Sequence, residues 1–365
     1  VKKWINVAIG ISVSAFFVYL SFRRVQLAEI FFSLKKADYI WIFPNMAIVI
    51  ATMIIRSVRW QYLLQNIRQF KVGRLFPSIM IGFMANNVLP ARLGEFVRAY
   101  SLGVKSGESR SSIFATVVIE RIFDSLALLA IFWLVIMFVP FPPAVKKFGI
   151  ITLTLNIVLI LILVFLKQKG RRFINKFMSF FSFLPQRLSE KVSHILTNFS
   201  EGLSIFNRSR ILGIVTLWSV VLWIITALSN YFIFMAFGMY PNVVASFILL
   251  LFVAAGVMLP SAPGFVGVFQ AAVVGAFIVM NQLGTIGYHL SPLRIEMTTI
   301  TIPAFFDMPA MGVGQYIDSL GLPGISKGEA LSFSIVLWLC QYLPVTLLGL
   351  YYLKREHLSL RKMEI

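Results

Sequence analysis

Cysteine is almost missing from this chain. Cys340 is the single one among 365 residues, so no intrachain disulfide can form, and thiol-based metal binding has too few ligands. Histidine is nearly as scarce: His194, His289 and His357 stand far apart and make no ligand pair. There is no Ser/His/Asp triad, no metal-ligand spacing and no Walker-type Gly-Lys-Ser/Thr run. ATP-driven transport by this chain alone is thereby argued against, and no cofactor is expected. Charge is thin overall, at 13% of residues, and acid thinner still, with 14 Asp and Glu against 33 Lys and Arg.

What the chain has in abundance is apolar sequence. It is 59% hydrophobic and 15% aromatic, with a mean hydropathy of +0.86, whereas soluble domains hold about 45–50% apolar residues. Several stretches run 18 or more residues almost without charge, enough to cross a hydrocarbon core of about 30 Å at about 1.5 Å per residue. The expected fold is therefore all-α, a polytopic membrane helix bundle with about 6–8 spans in a single domain, residues 1–365. The net charge of +19 suggests nucleic acid at first. Most Lys and Arg, however, sit at the ends of apolar segments, as membrane topology requires, and anionic headgroups are the natural partner of such a surface. No nucleic-acid partner is expected.

Spanning helices are read at about 4–22, 39–60, 111–139, 148–166, 209–238 and 330–353, with shorter apolar segments at 75–89, 243–259 and 265–282. Lys2 and Lys3 followed by an apolar run without a small-x-small cleavage site read as a retained signal anchor. Counting Lys and Arg between spans gives twenty-three on one face and eight on the other, which puts both termini in the cytoplasm of a multi-pass protein of the inner, cytoplasmic membrane. Arg23, Arg24, Lys35 and Lys36 are the exception. On that side the sequons at Asn198 and Asn207 are chance matches.

This topology forces the segment at 75–89 to enter and leave on the same face. A re-entrant hairpin over about 75–105 meets the requirement, and such backbone survives in a membrane only when buried in protein or lining a wet cavity. A second break, at about 259–267, admits either two full spans or a second hairpin entered from outside. In the latter case the two halves, 1–166 and 209–365, form an inverted repeat. Between them, 167–208 reads as a basic cytoplasmic connector, either amphipathic helices on the leaflet or a loop packed on the bundle. Residues 281–328 read as an external loop.

Three polar knots interrupt the apolar sequence. The first is Asn86-Asn87-Val-Leu-Pro90-Ala-Arg92-Leu-Gly94-Glu95-Phe-Val-Arg98, and the second is Glu120-Arg121-Ile-Phe-Asp124. Intramembrane charges are expensive and usually functional. Glu120 and Asp124 share a helical face and need a positive partner, for which Arg92, Arg98 or Arg56 is apt, while Arg121 is spaced to pair with Asp124. The plainer reading is a set of ion pairs that holds helices together. The functional one is a polar path for an anionic headgroup, with Arg as phosphate ligand because its planar fork matches the oxygens. Asn86 and Asn87 serve equally as backbone caps or substrate contacts. The third knot, Pro260-Ser-Ala-Pro263-Gly264-Phe-Val-Gly267, has glycines that let backbone N–H groups face a phosphate.

Together these runs resemble the three motifs of the flippase-like family, also called the lysylphosphatidylglycerol synthase transmembrane region. The carrying residues are Asn87 to Arg98, Glu120 to Asp124, and Pro263-Gly264-Phe-Val-Gly267-Val-Phe-Gln270-Ala. The resemblance implies a membrane protein that moves, or helps to move, charged or glycosylated lipids. Its headgroup site would draw on Asn87, Arg92, Glu95, Arg98, Glu120, Arg121, Asp124, Gly264 and Gly267. Implied partners are an anionic phospholipid or lipid-linked sugar, with a second copy or a lipid-modifying enzyme as protein partner. The soluble lysyl-transfer domain of the multidomain synthases is not in this sequence, so lysyl transfer does not carry over. The chain departs from the third motif at Phe265 and Gln270, where a second glycine and an acid are usual. Two other readings stay open: a membrane transferase on lipid or polyprenyl-phosphate sugars with Glu95 or Asp124 as base, and a non-catalytic partner of such an enzyme.

Overall fold

In a bilayer every backbone N–H and C=O must find a partner within the chain, and the helix termini show how this one does it. The Asp38 side chain accepts from the Ile40 N–H at the turn leading into the helix Ile42–Leu64. Ser109 caps the helix Arg110–Ile136, Asn242 caps Val243–Val257, and Ser326 with Glu329 forms a reciprocal capping box on Lys327–Arg355. The computed structural model describes residues 12, 14–22, 25–89, 93–137, 143–180, 186–203, 205, 208–259, 261–282, 286–288 and 325–358.

The helices are α1 (14–22), α2 (Leu27–Lys36), α3 (Ile42–Leu64), α4 (Val72–Val88), α5 (Gly94–Ser106), α6 (Arg110–Ile136), α7 (Pro143–Phe180), α8 (Gln186–Gly202), α9 (Ser209–Ala236), α10 (Val243–Val257), α11 (Val268–Gln282) and α12 (Lys327–Arg355). A three-residue ribbon, β1 (Met239–Pro241) against β2 (Ile286–Tyr288), is antiparallel. The chain is thus the expected all-α bundle with one small ribbon. Among the described residues, four segments are long and apolar enough to cross a membrane: Tyr39–Leu64, Ser209–Ala236, Pro263–Asn281 and Lys327–Arg355. Gly149–Phe165 and Val243–Val257 are shorter apolar helices. α6 matches the long ones in length, with 27 residues, but carries Glu120, Arg121 and Asp124.

Directions follow from which residues meet. Asn86 with Gly94, Gly82 with Arg98, and Ser78 with Ser101 make α4 and α5 an antiparallel hairpin. Gly256 with Val268 and Ala272, and Phe252 with Gly275, make α10 and α11 another. α3 runs antiparallel to α6, through Arg56–Asp124 and Trp60–Thr116, and to α9, through Asn45–Ser229 and Arg59–Ser219. α4 runs antiparallel to α12 through Asn87–Thr346 and Met84–Gly349.

Two large apolar cores result, with a small third of Ile81, Met84, Ala85 and Val97 between α4 and α5. One lies among α3 to α6 and includes Trp60, Leu63, Ile79, Leu102 and Ile119. The other lies among α9 to α12, where Phe333 sits 4.8 Å from Phe234 and 5.0 Å from Phe277, ring centre to ring centre. Phe31, Phe43, Met137, Leu155, Leu217 and Leu347 point outward and are exposed, as a lipid-facing surface requires. Within the connector, residues 167–180 continue α7, while α8 packs on the start of α6 through Ser112 donating to the Asn198 carbonyl at 2.8 Å. The side chains that would decide its amphipathic face (166–192) lie outside the described residues, as do most of the 4–22 segment and residues 283–285 and 289–324 of the expected external loop.

Candidate functional site

α6 carries the centre of the site because its sequence puts Glu120 and Asp124 one turn apart on the face turned to α3 and α5. α3 answers with Arg56, Arg59 and Trp60, also on one face. Arg98 of α5 grips Glu120 with both terminal guanidinium nitrogens, at 2.9 and 2.8 Å. This forked geometry is the strongest form of the pair. Arg59 bridges the two acids, reaching Glu120 Oε1 at 3.0 Å while donating to Asp124 Oδ1, and its Nη1 also donates to Ser219 Oγ on α9 at 2.8 Å. Arg56 stands 3.4 Å from Asp124 Oδ2. Arg121 lies 3.1 Å from Glu120 Oε1 and 3.5 Å from Asp124 Oδ2, so the expected i,i+3 pairing exists.

Aromatic rings take up the faces that carboxylates leave open. The Arg98 guanidinium sits 3.8 Å above the Trp60 ring, and Arg56 lies 5.0 Å from Phe83 and 5.6 Å from Trp223. Such contacts are worth about 2 kcal/mol or more once desolvated. Glu120 and Arg59 are completely buried and Arg98 nearly so, whereas the Arg121 side chain is 38% exposed.

The first break frames this cluster from above. Asn86 of α4 accepts the Gly94 N–H at 2.8 Å and donates to Glu95 Oε1 at 3.3 Å, so it caps the next helix and orients its first acid. A Cβ on Gly94 would collide with the Gly82 carbonyl and with Asn86. Only a glycine lets the hairpin close. Asn87 donates to Thr346 Oγ1 on α12 at 2.9 Å. Pro90, Ala91 and Arg92 lie outside the described residues.

The second break is built on left-handed backbone: Gly264 at φ 75°, Phe265 at 60° and Gly267 at 85°. Its Gly264 carbonyl accepts from Trp338 Nε1 at 2.7 Å, and its Ala262 N–H donates to Ser14 Oγ at 2.8 Å. Gln270 accepts the Gly267 N–H at 2.7 Å. That N–H is thus already satisfied. The two breaks touch: a Cβ built on Gly264 would lie 3.6 Å from the Asn87 carbonyl.

Residues of the first two motifs meet in the charged cluster, and the third motif approaches the first near Asn87. Over residues 7–287 the chain matches the lysylphosphatidylglycerol synthase TM region. It belongs to that family. It is 27% identical over 310 residues to a UPF0104 membrane protein of Methanothermobacter thermautotrophicus, covering 78% of this chain and 87% of the relative. It is 26% identical over 300 residues to UPF0104 membrane protein PH1989 of Pyrococcus horikoshii, covering 77% and 88%. A shorter likeness, 26% over 129 residues, is to Glycosyltransferase AglD of Haloferax volcanii and spans 35% of this chain and 21% of that one. No solved structure matches. The family member described here is a membrane protein.

Among the expected site residues, Arg98, Glu120, Arg121 and Asp124 form the charged cluster, and Glu95 stands at its edge. Asn87 and Gly264 form the contact between the breaks, while Gly267 starts α11. Arg59 is the residue that sequence reasoning misses. It counts with the inner loop because the apolar run weakens at Trp60, yet α3 continues to Leu64. A signal for it exists, in Arg56, Arg59 and Trp60 at i, i+3 and i+4.

Proposed function

We propose that this chain moves, or helps to move, charged or glycosylated lipids across the cytoplasmic membrane, with both termini in the cytoplasm. The observation that carries the reading is the contact between the two broken segments beside buried arginines. A headgroup crossing a bilayer needs a path that is polar at mid-depth, and broken helices meeting there are the known way for membrane proteins to make one. The helix directions support hairpins entered from opposite faces. α3 and α9 are antiparallel, each precedes a hairpin, and each hairpin is followed by a long helix, α6 or α12. The cluster's ion pairs hold the helices and the headgroup path at once, so the structural and functional readings of these charges are compatible.

The test is lipid scrambling in liposomes holding purified protein, with fluorescent anionic, zwitterionic and lysine-bearing lipids compared. Headgroup-dependent movement that falls in Arg92→Ala is expected. Movement no faster than in empty liposomes, with folded protein, would refute the proposal.

The likeness to a protein named as a glycosyltransferase favours a second reading, transfer chemistry on a lipid-linked sugar. It is the weaker one here. Asp124 is enclosed by Arg56, Arg59 and Arg121, which leaves a base no access to substrate, so Glu95 would have to serve. A product of changed mass after incubation with lipid-linked sugar would favour it.

A further inference from the structure

The cluster is not balanced. Four guanidiniums, of Arg56, Arg59, Arg98 and Arg121, share two carboxylates, of Glu120 and Asp124. All four Nε atoms are buried without a hydrogen-bond partner, so the terminal nitrogens are what set the four apart. Arg98 donates both of its to Glu120, and Arg59 donates Nη1 to Asp124 while its buried Nη2 lies 3.0 Å from Glu120 Oε1 as an ion pair without a hydrogen bond. Arg56 and Arg121 each reach their acids through one, Arg56 at 3.4 Å and Arg121 at 3.1 and 3.5 Å. Both of these looser arginines lie against one ring, Phe83, at 5.0 and 6.0 Å. Arg121 is the one open to the outside, eleven residues into α6, or roughly 16 Å along the helix. A guanidinium at that depth faces a wet cleft rather than lipid, because hydrocarbon contact would be too costly.

Beside this pair stands Glu95, half-buried and within electrostatic range of Arg121. Counting it, the described charges of the group leave one positive charge in excess. The surroundings are apolar and open: Val88, Leu93 and Phe96 around the first break and Met258, Leu259 and Val266 around the second are all exposed. A ligand drawn to this place carries one negative charge at one end and hydrocarbon at the other.

We propose that Arg121 and Arg56 form the phosphate site for the phosphodiester of a lipid headgroup, and that Glu95 restricts the site to a single negative charge. Arg98 and Arg59 are the fixed countercharges of the acids and do not touch the ligand. The assignment rests on the lipid-handling reading above and deepens it by naming the ligand group. Free phosphate offers the same oxygens without the tails that the exposed rim fits.

The experiment measures binding of dioctanoyl lipids to the purified protein in neutral detergent, by native mass spectrometry. The probes are dioctanoylphosphatidylglycerol, dioctanoylphosphatidic acid, dioctanoylglycerol and inorganic phosphate. Expected are binding of the phosphodiester, about tenfold loss in Arg121→Gln and in Arg56→Gln, and no binding of dioctanoylglycerol. Glu95→Gln should raise the affinity for phosphatidic acid relative to phosphatidylglycerol. Both arginine variants remove an excess cation and leave the Arg98–Glu120 and Arg59–Asp124 pairs whole, so they should fold. Unchanged binding in both would overturn the site. Inorganic phosphate binding as tightly as the lipid would overturn the lipid assignment. Binding lost in Arg121→Gln, in a protein that moves no lipid, would sink transport and leave the phosphate site standing. Movement by the wild type, with binding untouched in both variants, would do the reverse.

Discussion

Glu120→Gln tests the charge arrangement most directly. The Glu120 carboxylate receives two contacts from Arg98, at 2.9 and 2.8 Å, one from Arg59 at 3.0 Å and one from Arg121 at 3.1 Å. Glutamine keeps the shape but removes the charge. Four guanidiniums then have Asp124 as the cluster's one remaining carboxylate, and two of them, Arg59 and Arg98, are buried away from water. Removing one partner of a buried pair costs about 3–5 kcal/mol, mostly the penalty of the stranded charge. At about 2–4 °C per kcal/mol for a large domain, the midpoint of thermal unfolding should fall by roughly 10 °C.

The same reasoning makes a sharper demand. Adding Arg98→Met removes the stranded cation and restores the original excess of positive charge. The cost of breaking a buried pair lies mostly in the stranded charge, so Glu120→Gln/Arg98→Met, which leaves neither member charged, should recover much of the lost stability. Unfolding followed by size-exclusion fluorescence after heating in detergent reads both variants. A Glu120→Gln midpoint within about 2 °C of wild type would refute the claim that the cluster is buried and charged. A double variant no better than the single one would refute the pairing.

Two further variants probe the breaks. Gly94→Ala drives a methyl into the Gly82 carbonyl and Asn86 and should destabilise by about 1–3 kcal/mol, whereas Gly213→Ala, with no atom within 4 Å of its added Cβ, should be neutral or slightly stabilising; thermal midpoints compare them. Gly264→Ala meets a φ of 75° and the Tyr342 ring at 3.0 Å, costs about 1–2 kcal/mol from the backbone alone, and should slow lipid movement in liposomes with little change in expression.

Much of this arrangement is legible in the order of residues. Charge and Pro/Gly punctuation inside apolar runs mark both breaks, and the i,i+4 spacing of Glu120 and Asp124 is enough to put them on a common face. Two helices, Val72–Val88 and Gly94–Ser106, flank the first break where the Pro/Gly punctuation marks it. What stays illegible needs three dimensions. No spacing says that Arg98, 22 positions before Glu120, grips it with both arms, or that Arg59 belongs to the membrane interior. Gln270 stands where the family usually has an acid, yet its carbonyl oxygen takes the Gly267 N–H. A neutral acceptor performs that capping task without adding a negative charge beside the second break.

The placement of polar contacts also constrains how a headgroup would pass. α3 is tied to α9 through Asn45–Ser229 and Arg59–Ser219, and α4 is tied to α12 through Asn87–Thr346. Each tie joins an element of the first half to one of the second, and each is wholly or largely shielded from water. Large separation of the halves would expose these groups to hydrocarbon, at several kcal/mol for each one left unsatisfied. These ties therefore hold the seam beside the proposed site against opening wide. A rigid seam suits a ligand whose tails remain in the bilayer while only its headgroup enters the cleft, because the opening then needs to be no larger than a phosphate and its substituent. It also explains the division among the arginines. Arg98 and Arg59, which hold the helices together, commit both terminal nitrogens to carboxylates. Arg56 and Arg121, held by one each, lie beside the break where a headgroup would arrive.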